Sequence, residues 1–183
     1  MVLFEDETDL LVFPPLRAAW AHRGQQAEVM LAGWNAKAVI FGTLNPHTGH
    51  RVLLARSRQR AEDFQAFLRY LRQQYRNQHL VLLLDEDPSH TAVASFTTAA
   101  DLGIDLFWLP KRSPHLNPVD HLWRTAKQHV CANRQYHTLE ELIDRFTIYV
   151  LSLPPHIALR LAGIQSQDFW LRHALSNLFC LPT

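Results

Sequence analysis

The sequence has few cysteines, no long apolar run and almost no net charge, and each shortage excludes a class of protein. Two cysteines, Cys131 and Cys180, provide neither a disulfide framework nor a metal cluster. No uninterrupted apolar run approaches the roughly 18–20 residues that a membrane span requires. The acidic start, MVLFEDETDL, also differs from the basic and then apolar start of a secretion signal. We therefore expect a soluble protein of the cytoplasm, with no membrane partner.

The formal charge of +1 conceals an uneven distribution along the chain. Residues 1–30 carry a net charge of −3, whereas residues 51–76 carry +5 and residues 111–134 carry +4. Basic segments beside clustered acids favour a polyanion held next to a cation site. Solvated helix faces are the alternative explanation of the same charges.

Hydrophobic periodicity in these 183 residues predicts one domain in which a mixed sheet is covered by helices. The predicted strands are 2–4, 37–44, 51–55, 80–84 and 104–109, and residues 27–31 are a candidate short strand. The predicted helices are 61–75, 90–102, 118–132 and 139–151. The second of these helices is expected to end at Gly103 in a left-handed cap.

Three aspartates stand at the predicted ends of elements. Asp6 follows the first strand, Asp85 ends the most apolar strand, and Asp120 lies in the first turn of the helix that Asn117 caps. Carboxylates gathered at one sheet edge raise one another's pKa unless they share a cation. Mg²⁺ prefers such ligands, and two ions together activate a water and stabilise the leaving oxygen of a phosphodiester.

Each aspartate also has a purely structural explanation. Asp120 stands three residues after Asn117, where an acid completes a capping box. Asp85 begins the turn sequence Asp-Glu-Asp-Pro. Asp6 lies between Glu5 and Glu7, so which of these acids faces the site depends on the register of the first strand.

Three stretches resemble motifs of DDE transposases, in the bacterial insertion-sequence branch of the Tc-mariner superfamily. Residues 82–90 (LLLDEDPSH) resemble the second-aspartate motif, an apolar strand and an aspartate with a histidine five residues later. Residues 109–123 (LPKRSPHLNPVDHLW) are similar to the third-acid motif, and the 34 residues between Asp85 and Asp120 match the separation in this branch. Residues 4–8 (FEDET) resemble the first-aspartate region.

This resemblance implies an α/β, ribonuclease-H-like fold with a mixed five-stranded sheet flanked by helices. The catalytic domain would cover residues 1–150, with 151–183 as a C-terminal extension of the same domain. Asp6, Asp85 and Asp120 would be catalytic and would bind two Mg²⁺ or Mn²⁺ ions. The implied reaction is cleavage of DNA at transposon ends and strand transfer into target DNA at a TA dinucleotide, by a homodimer.

The sequence also departs from the family pattern. Asp120 is one methylene shorter than the glutamate of many relatives, so its helix must approach the metals more closely. Glu86 replaces the usual asparagine and adds negative charge beside the site. The first strand begins at residue 2, where relatives carry a helix-turn-helix region before it. A truncated or inactive remnant that only associates with DNA therefore remains an alternative, as does a ribonuclease-H-like nuclease without transposition.

Basic residues near the third acid are candidates for DNA binding. Lys111 and Arg112 precede it in a loop expected to border the site, where they would hold phosphates or serve only solubility. Lys127 lies two helical turns after Asp120 on the same face, so it would extend towards the same DNA backbone or remain a plain surface lysine.

Three further residues are expected to support the site. His90 would position the segment after Asp85 rather than bind metal. Asn117 would cap the helix that carries Asp120, and Trp123 would pack that helix onto the sheet. The sequence contains no glycine-rich phosphate loop and no nucleophile elbow, which disfavours nucleotide hydrolysis and serine hydrolase chemistry.

Overall fold

A mixed five-stranded sheet forms the centre of the structure, a computed structural model that describes residues 1–171. The strands are β1 (Val2–Leu11), β2 (Lys37–Leu44), β3 (Arg51–Arg56), β4 (Leu80–Leu84) and β5 (Ile104–Trp108). In space they follow the order β3-β2-β1-β4-β5. β2 is antiparallel to β1 and to β3, whereas β4 is parallel to β1 and to β5. The mixed five-stranded sheet predicted from the sequence is confirmed.

Helices cover both faces of the sheet, and each face has its own apolar cluster. The helices are α1 (Ala61–Gln74), α2 (Pro88–Thr91), α3 (Val93–Asp101), α4 (Pro118–Val130), α5 (Leu139–Ser152) and α6 (Pro155–Leu161). The cluster on one face includes Phe64 and Phe67 from α1, and the cluster on the other includes Leu122 from α4 and Phe146 from α5. No helix within residues 1–171 has the length and apolar character needed to cross a membrane.

The first strand is longer than predicted, which changes the position of Asp6. Pairing between β1 and β2 continues as far as Leu11, opposite Lys37, so Asp6 lies inside β1 rather than after it. The prediction failed because the middle of the strand is acidic, and acidic residues conceal the apolar alternation by which strands are recognised.

The alternation of β1 nevertheless decides which acid faces which helices. Phe4 packs in the cluster beneath α4, and Leu3 packs in the opposite cluster beneath α1. Since successive side chains of a strand point to opposite faces, Asp6 lies on the α4 side. Glu5 and Glu7 lie on the α1 side.

Two further predictions about secondary structure were wrong. Residues 27–31 form no strand, and the whole segment 12–36 is irregular. The predicted helix 90–102 is two helices, because Ala92 has the extended backbone angles φ −60° and ψ 137° between α2 and α3. The left-handed cap at Gly103 is confirmed by its φ of +63°.

The segment after residue 150 packs against the same core as the strands. Ala162 and Ile164 are buried in the cluster beneath α4. Phe169 and Trp170 contact Phe4 edge to face, with ring centroids 6.1 and 6.3 Å away. The remainder of the predicted extension, residues 172–183 with Cys180, lies outside the described residues.

Candidate active site

A cavity of about 500 Å³ lies beside β1, at the C-terminal ends of β4 and β5, and is lined by all three predicted aspartates. Asp6 comes from within β1, Asp85 directly follows β4, and Asp120 lies in the first turn of α4. The topology thus gathers three residues that are widely separated in the sequence. Other polar residues line the same cavity: Glu7, Glu86, Asp87, Lys111, Arg112 and Asn117.

Asn117 fixes the start of α4 next to Asp6. Its side-chain oxygen accepts a hydrogen bond from the backbone N–H of Val119 at 3.1 Å, as an N-cap does. Its amide nitrogen donates to the backbone carbonyl of Glu5 at 2.7 Å. One buried side chain therefore ties the helix carrying Asp120 to the strand carrying Asp6.

Asn117→Asp is expected to lower the free energy of unfolding by about 1–3 kcal/mol, measured by urea denaturation. Aspartate can still accept the capping hydrogen bond from the backbone N–H of Val119. Its second carboxylate oxygen, however, would face the Glu5 carbonyl oxygen, which loses the hydrogen bond that the Asn117 amide donates. Thr138→Asp is the matched control, because Thr138 caps α5 through a single bond to the backbone N–H of Glu141. An Asn117→Asp protein as stable as the wild type would contradict this role.

The charge around Asp6 is strongly unbalanced. Burial raises the pKa of Asp6 well above its ordinary value, and the negative charges of Glu7, Asp120 and Asp85 raise it further. Across the cavity, Asp120 receives a charged hydrogen bond from Arg124 at 2.7 Å, between two partly exposed side chains. The carboxylates of the cavity therefore carry more negative charge than their neighbours balance. A divalent cation such as Mg²⁺ prefers oxygen ligands and would supply the positive charge that this cavity lacks.

His90 lies beneath the cavity, where every partner of its ring is an acceptor. Its Nδ1 is 3.0 Å from the backbone carbonyl oxygen of Asp85 and 3.2 Å from the Asp85 carboxylate. Its Nε2 is 2.7 Å from Oε1 of Glu7. Two ring nitrogens that both face acceptors require a proton on each, so His90 is an imidazolium.

The electrostatics of this cluster agree with a charged His90. Burial lowers its pKa, but the hydrogen bond to Asp85, the charge of Glu5 and the contacts with Glu7 outweigh burial and raise it to about 12. In return, the hydrogen bond from His90 lowers the pKa of Asp85. The imidazolium thus favours the ionised form of one of the three candidate ligands.

Glu5 is the most unusual member of this cluster. It is fully buried, neither carboxylate oxygen has a hydrogen-bond partner, and its Oε2 is 3.7 Å from Nε2 of His90. Burial and the charge of Glu7 raise the pKa of Glu5 well above its ordinary value. Within residues 1–171, Glu5, Glu7 and His90 form the one group of three whose potential metal-ligand atoms all lie within 4.8 Å of one another. Because His90 is itself the cation there, we do not assign a metal to this group.

The predicted basic residues are divided between two places. Lys111 and Arg112 line the cavity, and Lys111 forms an ion pair with Glu86 at 2.9 Å. Lys127 lies outside it and borders two smaller depressions next to Pro15. The predicted contact of Lys127 with the DNA backbone that Lys111 and Arg112 would hold therefore remains a prediction, and the lining of this cavity does not support it.

Sequence reasoning missed Glu7, which lines the cavity, and Gly42, which lies next to one of its aspartates. Glu7 was indistinguishable from its acidic neighbours until the pairing of β1 with β2 was known. Gly42 lies opposite Asp6 on β2, and the buried ring of Trp123 lies over it. A glycine inside an apolar strand was the available signal, since it often marks a close approach of another element.

Comparison with known proteins identifies the family. The profile of a family described as DDE superfamily endonuclease matches residues 1–143. The chain belongs to this family. An uncharacterized 39 kDa protein of insertion element IS630 from Shigella sonnei is 25% identical over 156 residues, which cover 84% of this chain and 46% of that protein. The family predicted from the sequence motifs is therefore confirmed.

Solved structures show the same fold. The Mos1 mariner transposase in its paired-end complex with Mg has a TM-score of 0.70 and 21% identity, over 96% of this chain and 55% of that one. The catalytic domain of Mos1 mariner transposase has a TM-score of 0.61 and 17% identity, over 88% of this chain and 75% of that one. The predicted ribonuclease-H-like fold is thus confirmed. The chain spans about half the length of the IS630 protein and of the Mos1 transposase in the complex.

Proposed function

We propose that this member of the DDE endonuclease family is the catalytic domain of a transposase. It cleaves phosphodiester bonds at transposon ends and joins the freed 3′ hydroxyl to target DNA. The observation that carries the proposal is one cavity lined by Asp6, Asp85 and Asp120, from three different parts of the sheet and its helices. The family match and the likeness to Mos1 transposase support the same reaction class.

In this proposal the three aspartates hold two Mg²⁺ or Mn²⁺ ions. Their carboxylates line one cavity, so oxygen ligands from three different parts of the fold would hold the cations. When bound, such ions supply an activated water or hydroxyl and stabilise the leaving oxygen. Bound cations would offset the repulsion at Asp6, whose pKa is raised by burial and by the charges of Glu7, Asp120 and Asp85.

DNA is the proposed partner, and the basic loop at the cavity edge is its proposed contact. Lys111 and Arg112 are exposed side chains beside the aspartates, so they are placed to hold phosphates next to the scissile bond. A DNA phosphate bound to Lys111 would displace the carboxylate of Glu86, which forms an ion pair with the Lys111 ammonium group in this structure. Insertion at a TA dinucleotide follows from the family resemblance and is tested by sequencing the target junctions.

A homodimer is the proposed active form. The irregular segment 12–36 carries large apolar side chains in solvent, among them Leu16 at 62%, Trp20 at 104% and Met30 at 92% exposure. Isolated apolar residues on a surface are ordinary, but several in one segment favour a protein contact. Sedimentation of the protein with and without transposon-end DNA tests this proposal.

Cleavage of DNA is the direct test of the proposed function. A supercoiled plasmid that carries the DNA flanking the gene on both sides is incubated with the protein and Mn²⁺. The wild type is expected to nick it, and Asp85→Asn is not. Asp105→Asn is the matched control, because Asp105 is an exposed aspartate of β5 outside the cavity lining.

The same experiment separates the alternatives. No nicking by the wild type with Mg²⁺ or Mn²⁺ would favour an inactive remnant and contradict the proposal. Nicking without joined products would favour a nuclease that does not transpose. Nicking that survives Asp85→Asn would exclude these aspartates as the catalytic site.

A further inference from the structure

Gly42 occupies the position directly opposite Asp6 in the β1–β2 ladder. A β-carbon added there would lie 2.6 Å from two atoms of the Trp123 ring, Cη2 and Cζ2, well inside van der Waals contact. The indole of Trp123 therefore fills the space that a side chain at position 42 would take. The absence of that side chain lets the Trp123 ring of α4 lie directly against the backbone of β2 beside Asp6.

Trp123 cannot easily move aside to make room. It is 3% exposed, and its ring packs against Phe146 of α5 with centroids 5.8 Å apart. Protein interiors are packed densely enough that a buried indole has no free volume into which to swing. A larger residue at position 42 must therefore separate β2 from α4.

The separation bears directly on Asp120, which lies one helical turn before Trp123 on the same helix. Aspartate is the shortest carboxylate side chain, so its oxygens reach the cavity only if the backbone of α4 is close. We propose that Gly42 is a positioning residue, which sets the distance between α4 and β1 so that an aspartate at position 120 can share cations with Asp6. This inference rests on the proposed function.

The expected displacement is large on the scale of metal coordination. Moving the contact from 2.6 Å to an ordinary 3.4 Å opens the interface by about 0.8 Å. Metal–ligand distances tolerate only about 0.2 Å, and a misplacement of about 1 Å costs on the order of 100-fold in rate. One added methyl group, far from any reacting atom, is thus expected to impair the site strongly.

The test measures Mn²⁺ binding, with Mn²⁺ alone and without DNA, by isothermal titration calorimetry, together with plasmid nicking. Gly42→Ala is expected to weaken Mn²⁺ binding by at least about tenfold and to lower the nicking rate by about 100-fold. Gly33→Ala is the matched control, since a β-carbon at Gly33 would meet nothing within 4 Å. It is expected to leave both quantities unchanged.

Two second-site changes distinguish positioning from general damage to the fold. Asp120→Glu lengthens the carboxylate by one methylene, so it is expected to impair the wild type but to restore binding in the Gly42→Ala background. Trp123→Phe removes the clashing part of the ring, so the Gly42→Ala, Trp123→Phe double variant is expected to bind Mn²⁺ through the native Asp120. Circular dichroism of each variant establishes that it is folded.

Opposite results would overturn the inference. Gly42→Ala that binds Mn²⁺ as tightly as the wild type would show that the spacing does not matter. Failure of both double variants to recover binding while folded would reduce Gly42 to a packing role. A wild type that neither binds Mn²⁺ nor nicks DNA would instead defeat the proposed function itself, so the two failures are distinguishable.

Discussion

Asp6→Asn is expected to abolish DNA cleavage and, at the same time, to stabilise the metal-free protein. Asparagine removes a charge that is buried among the charges of Glu7, Asp120 and Asp85, the arrangement that raises the pKa of Asp6. It also removes a ligand for cations that stabilise the transition state by several kcal/mol, which corresponds to a loss of about 10³-fold or more in rate. Thermal unfolding without metal and plasmid nicking with Mn²⁺ measure the two effects.

Opposite effects on stability and activity are typical of a site whose residues are selected for catalysis rather than folding. Addition of Mg²⁺ is expected to raise the melting temperature of the wild type but not of Asp6→Asn, because ligand binding stabilises only the folded form that binds it. Asp9→Asn is the control on the same strand, since Asp9 forms an exposed ion pair with Lys37. Asp6→Asn with lower metal-free stability than the wild type would contradict this view of the cavity.

Replacement of His90 by leucine is expected to lower the free energy of unfolding by about 3–5 kcal/mol, because the buried carboxylates of Glu5 and Glu7 lose the imidazolium beside them. Glu7 would keep a buried carboxylate without its 2.7 Å partner, and Asp85 would lose its hydrogen bond from the ring. His79→Leu is the matched control. His79 pairs with Asp105 at a similar 2.8 Å, but both side chains are about two-thirds exposed, so we expect a loss of less than about 1 kcal/mol.

The destabilisation by His90→Leu is also expected to depend on pH. The folded protein raises the pKa of His90 from 6.5 to about 12. Because the folded state favours the protonated ring, His90 contributes its full stabilisation below pH 6.5. This contribution to the free energy of unfolding is lost as the pH rises from 6.5 towards 12. The difference in unfolding free energy between wild type and His90→Leu should therefore narrow between pH 7 and pH 10 in urea titrations. A constant difference would contradict a charged His90.

The elements that sequence reasoning placed well are those with a local signal. The apolar run of β4 ends at Asp85 in the structure as in the sequence, because a strand buried on both faces needs uninterrupted apolar residues. The start of α4 was predicted from Asn117 and Pro118, since an N-cap followed by proline fixes the first turn through its own atoms. Asp85 directly follows the first of these elements, and Asp120 lies in the first turn of the second.

The features that escaped prediction depend on partners distant in the sequence. The contact between Glu7 and His90 joins residues 83 positions apart, and no local pattern indicates it. The packing of Trp123 over Gly42 likewise appears only when α4 lies on the sheet. Which of residues 5–7 face α4 and which face α1 is decided by the packing of Phe4 and Leu3 on opposite faces of the sheet, information that three adjacent carboxylates do not contain.

Anomalous diffraction from crystals grown with Mn²⁺ is the most direct test of the shared cation site. We expect two manganese peaks in the cavity, each within bonding distance of oxygens from Asp6, Asp85 or Asp120. A peak between Glu5, Glu7 and His90 in place of these, or an empty cavity at saturating Mn²⁺, would contradict it.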